Sequence, residues 1–273
     1  MWVDPYSVEH RRPLGSYLRL RIRRSVRGLS DQWVTPIHTL LNAAFVIGCG
    51  HSGTTLLAAK LGRLPGCHLP GWETNIFLPD QGMYWSKAAF SALIKTAETT
   101  GQKTILEKTP KHVHCTRRIL RLLPRARFLV VTRNPLDNCA SLFQRFGSLD
   151  QAIERWNMDN GAALEVLHRP EALHVRYEDL VTRPEQIFAH AAEFIGLAWQ
   201  SSALVAGDTA FSREFSDANM ALRAQQVAQA IEPRAEVWRE RLTSSQVEAV
   251  VFGTQKIASK LGYLLPRDGL NAL

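Results

Sequence analysis

From residue 43 onward, short apolar runs alternate with stretches whose apolar residues recur at helical spacing. Strands are predicted over 43–48, 103–106, 127–132 and 172–176, and Arg-Phe-Leu-Val-Val-Thr at 127–132 is the strongest, apolar on both faces. Helices are predicted over 54–64, 83–99, 111–123, 135–146, 150–168 and 184–195. Pro65-Gly66 and Pro124 stop two of them, and Pro135 suits the start of another. Trp238, Val247, Val250, Val251, Ile257 and Leu261 mark core-facing positions of helices within 232–263. Such alternation predicts an α/β fold, with a central parallel sheet flanked by helices on both sides.

Residues 1–40 form a basic N-terminal extension to a domain spanning 41–273. Arg11, Arg12, Arg19, Arg21, Arg23, Arg24 and Arg27 face only Asp4 and Glu9 within the first thirty residues. Leu18, Ile22, Val26 and Leu29 fall on one side of a helix that Gly28 is expected to close. The first reading is a helix docked on the domain with its arginines in water. The second is a basic amphipathic helix in peripheral contact with an anionic membrane.

The 273 residues suffice for one large domain, and 45% apolar with 21% charged residues is ordinary for a globular core. The net charge of +8 favours anionic ligands without choosing among small anions, nucleic acid and membranes. Cys49, Cys67, Cys115 and Cys139 are too few and too irregular for a disulfide framework or a zinc site. No run of about 18 apolar residues suggests a membrane span, and the charged N-terminus is unlike a signal peptide. A cytoplasmic protein is expected, with membrane association open through the extension.

Chemistry concentrates at the ends of the predicted strands. Phe45-Val46-Ile47-Gly48-Cys49-Gly50-His51-Ser52-Gly53-Thr54-Thr55 reads as strand, glycine-rich turn and helix start, an arrangement that offers backbone N–H groups to an anion. Gly48 and Gly53 have Walker A spacing, but Thr54 stands where a nucleoside triphosphatase places its lysine. A second segment, Thr132-Arg133-Asn134-Pro135, leads into a helix carrying Ser141 and, four residues on, Arg145. An arginine, a hydroxyl and a second arginine can together bind one phosphate. These two segments and 107–112 all leave strands for helices and should converge on one crevice.

The pair Gly-Cys-Gly-His-Ser-Gly-Thr-Thr and, about 80 residues later, Arg-Asn-Pro with Ser141 resembles the two donor-binding motifs of the sulfotransferases. These enzymes use 3'-phosphoadenosine 5'-phosphosulfate, PAPS, and release PAP. The resemblance extends through Val175-Arg176-Tyr177-Glu178-Asp179-Leu180 and Lys260-Leu261-Gly262-Tyr263, and is nearest to tyrosylprotein sulfotransferases and bacterial sulfotransferases of similar pattern. It implies a P-loop-like fold and sulfuryl transfer to a hydroxyl of a small molecule, glycan, lipid or peptide, with no metal and no nucleic-acid partner. Gly50, His51, Ser52, Gly53, Thr54 and Thr55 would surround the phosphosulfate. Arg133, Ser141 and Arg145 would hold the 3'-phosphate, and Tyr177 would lie at the nucleotide. Lys108 would contact the bridging oxygen, and Glu73 would be the catalytic base.

One departure is His51, where the family commonly has Arg or Lys. Either donor binding is weaker here, or His51 is protonated beside the phosphosulfate; capping the loop is its plainer role. Glu107 is a second carboxylate for the base, with an ion pair or helix cap as its structural alternative. His68 and His112 are the histidine candidates. His112 and His114, two apart on a helix, face different ways and do not suggest a metal site. Trp72, Phe77, Met83, Tyr84 and Trp85 read first as core and second as an acceptor-lining cluster. Arg213 and Arg223 are candidates to close over the donor. Two rivals stand beside this reading. A P-loop small-molecule kinase needs the lysine that Thr54 replaces, and a nucleic-acid binder rests on charge alone.

Overall fold

The computed structural model describes residues 2–6, 11–31, 33–207, 231 and 236–265. The candidate positions Arg213 and Arg223 lie outside them. A two-residue hairpin, β1 (Trp2–Val3) with β2 (Arg11–Arg12), precedes the long helix α1 (Leu14–Asp31). The domain is then built on β3 (Asn42–Gly48), β4 (Cys67–His68), β5 (Thr104–Lys108), β6 (Arg127–Thr132) and β7 (Ala172–Arg176). They form one parallel sheet in the order β4-β5-β3-β6-β7.

Strand alternation sends the two sets of apolar side chains into two cores. Ala43, Phe45, Ile47, Phe128 and Val130 pack with Phe77, Phe90 and Ile119 on one face, the side of helices α3 (Met83–Thr99) and α4 (Thr116–Leu122). Ala44, Val46, Leu129 and Val131 pack on the other, against α2 (Thr54–Leu61) and α8 (Pro184–Phe194). A third core joins α5 (Pro135–Phe146), α6 (Leu149–Leu167) and the last helix, α9 (Ser244–Lys260), around Trp156. A short helix α7 (Tyr177–Thr182) follows β7 directly.

The predicted α/β architecture is the observed one. Three local differences have plain causes. The predicted helix over 111–123 is a 3₁₀ turn, Pro110–His114, followed by α4, because His112 is drawn into the core by polar partners described below. Helix α1 runs through Gly28 to Asp31, whose buried carboxylate accepts the Met83 N–H at 2.8 Å and so caps α3. Trp72, Tyr84 and Trp85 are exposed, whereas Phe77 and Met83 are core; the core reading of the aromatic cluster holds only for the latter two.

The connection from β3 leads toward β4 at one edge, while that from β6 leads toward β7 at the other. The strands β3 and β6 are neighbours, so the sheet's switch point lies between their carboxyl ends. Ligand crevices of open α/β sheets lie at such points.

Candidate active site

Two glycines shape the first loop. A Cβ on Gly48 (φ +140°) would lie 2.2 Å from the Val131 carbonyl oxygen, so only glycine lets β3 pass this close to β6. A Cβ on Gly53 (φ +96°) would lie 2.6 Å from the Tyr177 ring, which therefore sits directly against the loop. Between them His51 adopts a left-handed φ of 65°, an unusual conformation for a non-glycine residue. The loop is held by Ser52, whose buried hydroxyl donates to the Cys49 carbonyl at 2.6 Å, and by Asn138 Nδ2, which donates to the Gly50 carbonyl at 2.9 Å. The Ser52 hydroxyl is thus committed to the loop, and its N–H is what it can offer a ligand. Helix α2 begins at Thr54 with no side-chain cap, presenting its amides and positive dipole end to the crevice. Thr54 is buried and Thr55 half-buried.

The second segment meets the first. His51 Nδ1 and Ser141 Oγ are 2.7 Å apart, so the residue expected at one phosphate touches the residue expected at the other. Arg133 stacks over the Tyr177 ring with its guanidinium carbon 4.2 Å from the centroid, and its Nη1 donates to the His51 carbonyl at 3.3 Å. Arg145 is exposed in the last turn of α5, one turn beyond Ser141. Gly50, His51, Ser52, Gly53, Arg133, Ser141 and Tyr177 are therefore brought together, with Thr54 and Thr55 at the helix start and Arg145 on the rim.

Glu178 and Tyr263, which the sequence reading placed only within their motifs, fix the start of this segment. Glu178 Oε1 accepts the Asn134 N–H at 2.7 Å, and its Oε2 accepts the Tyr263 hydroxyl at 3.2 Å. Tyr263 also hydrogen-bonds Thr132 Oγ1 at 2.8 Å. Residues on either side of Arg133 are thus tied to the helix after β7 and to the segment after α9.

Lys108 ends β5, paired in register with Val46 two residues before the first loop. Its fully buried ammonium donates to Glu73 Oε1 at 2.7 Å, while Glu73 remains about one-third exposed. Glu107 points away into the core. Its Oε1 accepts from Thr74 N at 3.3 Å, Thr74 Oγ1 at 2.7 Å and Thr109 Oγ1 at 2.6 Å. Its Oε2 is 2.9 Å from His112 Nδ1. The Phe77 N–H donates to His112 Nε2 at 3.2 Å, which places the ring hydrogen on Nδ1. Glu107 is the anchor that holds the Glu73-bearing segment to the end of β5, and its carboxylate has no open face for an acceptor. His112 is enclosed with it, and His68 lies on the edge strand β4. His114 instead bonds Asp159 at 2.7 Å. Among the described residues no group of His, Cys, Asp or Glu gathers as metal ligands.

Burial opposes the charged form of Glu107, but the His112 contact and the Thr109 and Thr74 hydroxyls outweigh it, holding the carboxyl below its ordinary 4.5. A depressed folded-state pKa contributes stability above the unfolded value and loses it as pH falls through the folded one. Thermal melts should therefore show stability declining as pH drops below about 4.5. Glu107→Gln cannot accept from both hydroxyls and from His112 without turning an N–H toward Nδ1. It should cost about 3 kcal/mol at neutral pH and flatten the acid decline. Wild-type stability in this variant would refute the anchoring role.

The profile of the sulfotransferase family matches residues 78–201, a little under half of the chain, including Lys108, Arg133, Ser141 and Tyr177. Protein-tyrosine sulfotransferase 2 of Gallus gallus is 26% identical over 199 residues, covering 59% of this chain and 52% of that protein. The chain thus matches about half the length of that relative. In fold it is similar to the sulfotransferase domain from the Synechococcus PCC 7002 olefin synthase, with a TM-score of 0.66 and 22% identity over 86% of this chain and all of that one. It is also similar to a mouse sulfotransferase complexed with PAP, with a TM-score of 0.54 and 13% identity over 85% of this chain and 89% of that one. Nothing among these matches favours a kinase.

Proposed function

From the premise that profile, relative and fold together support a sulfotransferase family for this chain, we propose that it transfers the sulfuryl group of PAPS to an acceptor hydroxyl. The observation that carries this reading is the Lys108–Glu73 pair. A buried cation and a carboxylate about one-third exposed lie 2.7 Å apart beside the loop at the sheet's switch point. The donor set suits an anion with two phosphate-type groups. The uncapped start of α2 and the Thr55 hydroxyl suit one, and Arg133, Ser141 and Arg145 suit the other.

Bound PAPS supplies a sulfuryl group activated by a phosphate leaving group. The amides at the start of α2 orient the anionic oxygens, and the buried Tyr177 ring holds Arg133 over it beside the loop. Lys108 donates to the oxygen on which charge develops as the old S–O bond breaks. With the donor bound, Glu73 would accept the proton of the acceptor hydroxyl as the sulfuryl group moves to it in line, the charge of the leaving phosphate oxygen being met by Lys108. Trp72, exposed beside Glu73, offers an apolar surface to the acceptor.

The test is transfer from radiolabelled PAPS to a panel of lipid, carbohydrate, phenol and peptide acceptors, with PAP release measured in parallel. Labelled product with matching PAP is the expected result. PAP that leaves the melting temperature unchanged, with stabilisation by ATP and Mg²⁺ instead, would overturn the reading.

A further inference from the structure

Among the described residues, helix α1 is held to the domain by one side. Arg24 forms two-armed ion pairs with buried Asp4 and with Asp80, the nearest contacts being 2.9 and 2.8 Å, and stacks on Tyr6 at 4.9 Å. Seven residues on, Asp31 accepts from Met83 N and from Arg118 Nη1. With about 100° per residue, Tyr17, Leu20, Arg24 and Asp31 fall within about 60° of one another on the domain-facing side. Leu14, Leu18, Ile22 and Val26 fall on an arc of about 120° on the far side. These four apolar side chains are 48%, 46%, 64% and 63% exposed.

Exposed arginines border that stripe. Arg19 and Arg23 lie along one edge and Arg21 along the other. The only acidic residue in α1 is Asp31, which is buried. The neighbouring segments add exposed aromatic residues. Asp31 and Thr35 contact Met83 and Lys87 at the start of α3, and Trp33, Tyr84 and Trp85 are 74%, 58% and 48% exposed.

We propose that α1 docks this protein on an anionic lipid bilayer, lying in the plane of the interface with Leu14, Leu18, Ile22 and Val26 inserted. An apolar arc with arginines along both edges matches acyl chains below and acidic headgroups beside it, and long arginine side chains reach the headgroups while the stripe is buried. Charge argues against a second copy on this face. A two-fold pairing of α1 stripes would set Arg19, Arg21 and Arg23 against their own equivalents, with no exposed carboxylate on the helix to compensate. Among the described residues no helix is long and apolar enough to cross a membrane, so the contact is one of surface docking.

The experiment is flotation of the full chain with phosphatidylcholine vesicles and with phosphatidylcholine–phosphatidylglycerol vesicles. The chain should float with the anionic vesicles and remain in solution with the neutral ones. Ile22→Glu with Val26→Glu should reduce partitioning more than about a hundredfold, since each buried aliphatic side chain contributes about ten- to hundredfold. Arg19→Ala with Arg23→Ala should reduce it about fivefold per arginine and blunt its salt sensitivity. All four residues are exposed, so the melting temperature should stay unchanged in both variants. Absence of the wild-type chain from the anionic vesicle fraction would overturn the proposal. So would equal flotation of the Ile22→Glu, Val26→Glu variant, or a dimer in sedimentation that this variant abolishes while vesicles bind neither form.

Discussion

Arg133→Ala is expected to lower PAP affinity by at least about a hundredfold while leaving the protein folded. The guanidinium is pre-positioned by its stack on Tyr177 and by its bond to the His51 carbonyl, so it can meet a phosphate with little further ordering. Each charge-assisted hydrogen bond to a phosphate contributes about 1.5–3 kcal/mol, and two such bonds account for the predicted loss. Arg133→Lys separates charge from geometry. It keeps the cation but loses the planar fork and the stack, and should recover only a small part of the affinity. The fold cost includes the cation–π contact with Tyr177 and the bond to the His51 carbonyl, about 1–2 kcal/mol at this partly exposed site. Calorimetry with PAP and a thermal melt decide the matter, and wild-type affinity in the alanine variant would remove Arg133 from the donor site.

His51 gains a definite geometry from the structure. Its ring lies on Ser141 rather than standing alone at the head of the first loop, so the two segments are joined before any ligand arrives. A permanent cation at this position could not accept from the serine hydroxyl, whereas a neutral imidazole can. In the proposed enzyme the permanent cations at the donor site are Arg133, Arg145 and Lys108.

The central strands were legible because a parallel sheet covered on both faces demands apolar side chains at every position, as 127–132 shows. The edge strand β4 was not, because two residues carry no period. The glycines of the first loop announced its turn, since backbone approach to Val131 and to the Tyr177 ring excludes any Cβ there. A structural ion pair was legible as an alternative for Glu107, but its partners were not, because the anchor joins a strand end, a 3₁₀ turn and the 74–77 segment through contacts that no spacing encodes. Periodicity likewise revealed the apolar stripe of α1 but not its direction. Direction was decided by Arg24 and Asp31, polar residues whose partners Asp4, Asp80 and the Met83 N–H lie elsewhere in the chain. The exposure of Trp72, Tyr84 and Trp85 has the same origin. Aromatic residues next to a functional carboxylate look like core in sequence, and only the packed fold shows which rings it leaves outside.

Glu73→Gln is expected to bind PAP as the wild type does and to lose turnover by about 10²–10⁴-fold, or about 3–5 kcal/mol of barrier. The substitution suits this site because glutamine keeps an oxygen that can accept from the fully buried Lys108 ammonium, so the lysine keeps a hydrogen bond although the opposite charge is lost. What glutamine removes is the capacity to take a proton. Lys108→Ala is the complementary change. It leaves Glu73 in place, since that side chain is about one-third exposed and its segment is anchored separately through Thr74 and Asn75. Loss of a group that stabilises charge on the leaving oxygen should cost about 10²–10³ in kcat. Two different signatures then identify two roles. The glutamine variant should be slow with every acceptor. The alanine variant should be least impaired when the donor's leaving group is made more acidic, because such a leaving group needs less help from a cation. A Glu73→Gln enzyme that turns over at the wild-type rate would place the base elsewhere, and Glu107, enclosed by Thr74, Thr109 and His112, has no open face with which to replace it.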